Sequence, residues 1–134
     1  MNLIPYVFAS LLLLTGTPNI VAEGTIPKIE KNFDSEIHRL AVKYKQNEPL
    51  ARKIIECEGI AYKAKGNNKN VGKNGVVWST DIGWWQINDY YHKESAYKLG
   101  FDINNEWDNL EYGFIVLSEQ GTKPWLASKY CWNG

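Results

Sequence analysis

Residues 78–89 read WSTDIGWWQIND, setting one carboxylate, Asp81, just ahead of Trp84, Trp85, Gln86 and Asn88. Sugars have apolar faces that lie on aromatic rings and hydroxyls that pair with amides, so this stretch suits a carbohydrate, with Asp81 adding charge near a reacting bond. A second carboxyl, Glu58, directly follows Cys57. If Cys57 pairs with Cys131, the helix carrying Glu58 is fixed against the segment holding Trp125, and an acid and an indole become neighbours. A carboxyl against an apolar ring loses hydration, which penalises its charged form and raises its pKa. Such an acid stays protonated near neutral pH and can give a proton to a leaving oxygen. Plainer readings stand beside these. Paired tryptophans in a hairpin more often belong to a core than to a groove, and Asp81 would equally cap a turn. From periodicity alone, Glu58 reads as a solvated charge flanking an apolar stripe.

The elements that must position these groups are mostly helical. Ile29, Phe33, Ile37, Leu40, Ala41 and Tyr44 recur at helical spacing and predict an amphipathic leading helix, within about 26–46. Asn47 and Pro49 supply a cap and a first-turn proline for a second helix, with Leu50, Ile54, Cys57 and Ala61 on one stripe. Residues 62–75 are rich in Gly, Asn and Lys and predict an irregular loop. Its four lysines are a solvated run, although they would also suit an anionic polymer. Short β-type runs VVW and WWQI follow, with turn chemistry over 79–83 between them, predicting a small hairpin. DYYHKESAYKLG and EWDNLEYGFIVLSEQG predict two further helices ending on Gly100 and Gly121, and WLASKYCW a last short one. The expected class is α+β, mainly α, with a small hairpin beside the helix that carries Glu58.

The chain has 134 residues, with 15 basic and 15 acidic side chains. That length argues for one domain with a modest core, and a net charge of zero gives no sign of binding to nucleic acid. Residues 1–22 carry no charge and contain an apolar run over 4–14, too short to span a bilayer. They read as a secretory signal peptide cleaved before Glu23, leaving a domain over 23–134; the alternatives are a buried N-terminal helix or an uncleaved anchor. In an exported chain two cysteines favour a Cys57–Cys131 disulfide; in a cytosolic one they would be reduced, buried thiols. No CxxC or Cys/His cluster points to a metal, no cofactor is implied, and His38 and His92 are expected at the surface.

Taken together, CEG at 57–59, STDIGWWQIN at 79–88, NLEYG at 109–113 and WLASKYCW at 125–132 resemble the lysozyme superfamily, specifically small lytic transglycosylases and c-type lysozymes. The similarity runs over about 49–132. The resemblance implies a lysozyme-like fold and cleavage of peptidoglycan between MurNAc and GlcNAc. It implies that Glu58 is the catalytic acid and that Asp81 matches the second carboxylate of c-type lysozymes. Gln86 and Asn88, with Trp84, would line the sugar site, and Trp125 falls where those lysozymes set an indole against the glutamate. In lysozyme a glutamate set against an indole has a raised pKa, and the resemblance implies the same for Glu58. A lytic transglycosylase is the leading expectation, a retaining hydrolase using Asp81 the next, and a non-catalytic wall-binding module the rival. The expected partner is the glycan strand, met by an exported monomer, with a secretion-apparatus or cell-wall partner also possible. Three departures stand out. Gly59 replaces the serine that usually follows the glutamate, the Glu58–Asp81 segment is longer than in c-type lysozymes, and WLASKYCW replaces the A-Y-N-x-G stretch of many larger transglycosylases.

Overall fold

Three asparagines start three of the helices: Asn32, Asn47 and Asn105 each turn a side-chain oxygen onto backbone N–H groups left free in the first turn. The computed structural model describes residues 31–134. The expected signal peptide and the beginning of the expected leading helix lie outside the described residues. In order come α1 (Phe33–Lys43), α2 (Glu48–Lys65), β1 (Asn68–Val71), β2 (Val77–Ile82), β3 (Ile87–Asn88), α3 (Asp89–Lys98) and α4 (Glu106–Gln120). A 3₁₀ helix, Lys123–Ser128, leads into the single-turn α5 (Lys129–Trp132). The class is α+β, mainly α, with one antiparallel sheet in the order β1-β2-β3.

Two expectations about the β region are corrected. Residues 62–75 are not all loop: α2 continues to Lys65, and Asn68–Val71 forms an edge strand. This strand escapes a hydrophobic pattern because its side chains are mostly exposed and polar. Residues 79–82 are strand rather than turn, and the chain reverses over 83–86, where Gln86 N–H donates to Gly83 O at 3.1 Å. The element is therefore a three-stranded sheet, and Asp81 lies within its central strand instead of capping a turn.

The core gathers where α1, α2 and α4 meet the turn at 83–86. Ile37, Leu40, Ile54, Leu110 and Phe114 are all buried, so α1 supports the core through its apolar face. Salt links also fasten α1: Glu111 on α4 accepts from Lys43 Nζ at 2.5 Å and from Tyr44 OH at 2.9 Å. Trp85 is fully buried and lies edge-on to Phe114, its Nε1 donating to Leu110 O at 3.0 Å. A β-carbon at Gly113 would come within 2.1 Å of that indole, so only glycine lets α4 approach it. Asn109, also fully buried, donates to Ile82 O and Ile103 O at 2.9 and 3.0 Å, tying the end of β2 to the α3–α4 connection. Among the described residues no helix is long and apolar enough to cross a membrane.

Cys57 on α2 and Cys131 on α5 form a disulfide with their Cα atoms 6.1 Å apart, across a sequence separation of 74. Closing a loop of that length stabilises the fold by about 4 kcal/mol in the chain-entropy model. Reduction is expected to lower the thermal unfolding midpoint by on the order of 15 °C. An unchanged midpoint after complete reduction, verified by thiol titration, would contradict this role.

Candidate active site

Glu58 and Asp81 come from different elements and meet at one cleft of about 810 Å³, which Gln86, Asn88, Tyr91 and Trp125 also line. The longer segment between the two carboxyls still leaves Asp81 on the same cleft as Glu58. The volume falls within the range of small-molecule sites.

Glu58 is half-buried. Burial pushes its carboxyl above the ordinary glutamate value, a hydrogen bond from Ser128 pulls it partly back, and the charge of Asp81 pushes it up again. Ser128 Oγ donates to Glu58 Oε1, and Trp132 Nε1 donates in turn to Ser128 Oγ at 3.2 Å. This short relay belongs to the C-terminal segment, which the disulfide holds against α2. Trp125 in the same segment is buried; its Nε1 donates to Trp85 O at 2.8 Å, and the two indoles lie 5.0 Å apart. Its ring is thus a fixed apolar wall of the cleft.

Asp81 has a different setting. In the sheet register it stands directly between Asn68 on β1 and Asn88 on β3. Asn68 Nδ2 donates to its Oδ2 at 3.0 Å, while Asn70 and Asn88 donate to its Oδ1 at 3.0 and 2.8 Å. Asn70 and Asn88 also donate to Ser79 Oγ, two residues earlier on the same face of β2. The result is a carboxylate held by three amides across three strands. Asn88 Oδ1 is buried and has no hydrogen-bond partner among the described residues.

Of the residues expected at the site, Glu58, Asp81, Gln86, Asn88 and Trp125 line the cleft. Gln86 adopts a left-handed backbone, φ 48°, and its side-chain amide donates to Gly83 O at 2.8 Å. Trp84 is a correction. It is buried away from the cleft, 4.2 Å from the Phe33 ring and edge-on to Tyr62, with Nε1 donating to Glu106 Oε1 at 2.9 Å. The turn at 83–86 directs it toward α1 and α2, where its ring meets apolar surface. His92 is not a surface residue either: it is half-buried, with Nδ1 3.1 Å from Tyr112 OH, and burial lowers its pKa.

The sequence reading missed Ser128 and the asparagines of β1. The asparagines carried a usable signal, since N-x-N at 68–70 and S-x-D at 79–81 both alternate with the strand period of two. Ser128 had none, because its partner lies 70 positions away. Among the described residues, no group of three or more His, Cys, Asp or Glu side chains could hold a metal ion. Comparisons with protein families, with curated proteins and with solved structures find no match. The chemistry of the site rests on its geometry.

That geometry explains Gly59. A β-carbon there would stand 2.6 Å from Trp84 Cε3, so a side chain at 59 would press on that ring; the hydroxyl that reaches Glu58 belongs to Ser128. Gly59→Ser is expected to destabilise the protein by about 1–3 kcal/mol through overpacking. A thermal melt reads this as a lowered midpoint; a midpoint equal to wild type would show that position 59 tolerates a side chain.

Proposed function

We propose that the protein is an exported glycosidase that cuts the β-1,4 bond between MurNAc and GlcNAc in peptidoglycan, most simply as a lytic transglycosylase. The observation that carries this reading is the half-buried Glu58, raised in pKa by burial and lodged in a cleft with an indole wall. As an acid, Glu58 gives its proton to the glycosidic oxygen while the bond from C1 of MurNAc to that oxygen breaks. As a carboxylate it then takes the proton of the MurNAc 6-hydroxyl as that oxygen bonds to C1, closing a 1,6-anhydro ring and restoring the acid. Burial favours the protonated form needed first. The Ser128 hydroxyl favours the carboxylate formed next. The disulfide fits an exported chain, and the glycan lies outside the cytoplasm.

A second reading is favoured by one observation, the amide cradle of Asp81. A carboxylate fixed in the cleft near a raised glutamic acid is the division of roles described for lysozyme. In a retaining hydrolase Asp81 would bond to C1 or stabilise its positive charge, and a water deprotonated by Glu58 would release the sugar.

The test is to incubate the protein, and Glu58→Gln beside it, with isolated peptidoglycan and to weigh the released muropeptides by mass spectrometry. Anhydro ends, one water lighter than hydrolytic products, are expected from the wild type, with release reduced about 10²- to 10⁴-fold in the variant. Ordinary reducing ends would establish the hydrolase and make Asp81→Asn the next variant. Tight binding without any release by the wild type would overturn both enzyme readings in favour of a wall-binding module.

A further inference from the structure

The run from Tyr62 to Gly75 holds four lysines and no acid, and none of those lysines lines the cleft. Lys63 lies over the Trp84 ring at 4.5 Å. Lys69 and Lys73 stand exposed on the β1–β2 hairpin, without an ion pair among the described residues. The same hairpin turns three valines outward. Val71, Val76 and Val77 are 56 %, 59 % and 46 % exposed, and none belongs to the core cluster. Val71 is the register partner of Val77, and Gly72 N–H donates to Val76 O at 2.9 Å, so the three sit together at the tip.

Turn chemistry asks for glycine and asparagine, which GKNG at 72–75 supplies, and for no valine. A lysine on an edge strand guards against strand pairing, which accounts for Lys69 on β1 but leaves the valines unexplained. Exposed apolar side chains gathered at one place, rather than scattered singly, mark an interaction site. Charge and backbone decide what this one meets. The hairpin's own carboxylate, Asp81, pairs in register with Asn68 at the end away from the turn and is held by three amides. Asp89 of α3 meets β2 at Thr80 N–H, in the next register pair. The tip is therefore positive as well as apolar, although the chain as a whole carries no net charge. Its backbone is also self-contained: Gly75 N–H donates to Gly72 O at 2.9 Å and Val76 N–H to Asn74 Oδ1 at 3.1 Å. Such a tip leaves bulk water without stranding these donors.

We propose that the β1–β2 tip docks this protein on an anionic phospholipid membrane, with Val71, Val76 and Val77 entering the headgroup boundary while Lys69 and Lys73 face the lipid phosphates. Apolar burial and attraction to a negative surface add in such binding. An anionic polymer without an apolar phase would answer to the lysines alone and leave the valines in water. A second copy of this chain would cover the valines but would bring the same lysines face to face. None of the five tip residues lines the cleft, so the membrane contact is separate from the site of reaction and stands whether or not the cleft holds glycan.

The probes are vesicles of phosphatidylglycerol and phosphatidylcholine in equal parts, and of phosphatidylcholine alone, mixed with the intact, disulfide-bonded protein and separated by flotation. The protein is expected to float with the anionic vesicles, less so as salt rises, and not with the neutral ones. Lys69→Gln and Lys73→Gln should each weaken this partition about fivefold. Val76→Ser should weaken it by a similar factor, about fivefold, through lost apolar burial. Lys73 and Val76 lie in the turn, outside the strands, and circular dichroism verifies the fold of each variant. Absence of binding to the anionic vesicles, or binding that all three substitutions leave untouched, would overturn the proposal. Loss with the lysine variants but not with Val76→Ser would also overturn it, in favour of an anionic polymer held by charge alone. A dimer in sedimentation that Val76→Ser abolishes, with vesicle binding intact, would assign the valines to self-association instead.

Discussion

Trp85 can be fully buried only because residue 113 has no side chain, and the site is built outward from that contact. The indole locks the turn at 83–86 onto α4 through Leu110 O, and its own carbonyl receives the N–H of Trp125. This second bond brings the C-terminal segment down over the cleft. With Trp125 anchored there and Cys131 bonded to Cys57, Ser128 falls on Glu58. One buried ring thus positions both the apolar wall and the hydroxyl on which the acid depends.

The two carboxyl groups share a cleft but not an environment. Glu58 projects from a helix into a place where water is displaced and one hydroxyl reaches it, so its charged form is penalised. Asp81 is carried by the central strand of a polar sheet and meets three amide donors. Helix and sheet supply different surroundings for chemically similar groups, and under the proposed function it is the desolvated Glu58 that takes the part of the acid.

The helices were legible because their signals are local. Asn47 and Pro49 mark the start of α2 by themselves, and the stripe through Ile37, Leu40 and Ala41 needs only α1. The cleft residues in the run from Asp81 to Asn88 were legible for a related reason, since they lie close together in the chain. Trp84 leaves the cleft because neighbouring tryptophans in a turn diverge: Trp85 goes to α4 and Trp84 to α1 and α2. Residues 68–71 look like loop in the sequence because their alternation is of asparagines serving Asp81, not of apolar groups serving a core. Ser128 depends on a fold-level contact that no spacing in the sequence announces.

If the fold desolvates Glu58, its carboxyl must hold its proton to higher pH than a solvated glutamate does. Carbon-13 NMR of that side chain through a pH titration of the intact, disulfide-bonded protein reads this directly. A midpoint above the ordinary 4.5 for glutamate is expected, from desolvation beneath the C-terminal segment. A midpoint at or below 4.5 would mean that the carboxyl is well solvated or dominated by hydrogen bonding, and would contradict the acid role built on it.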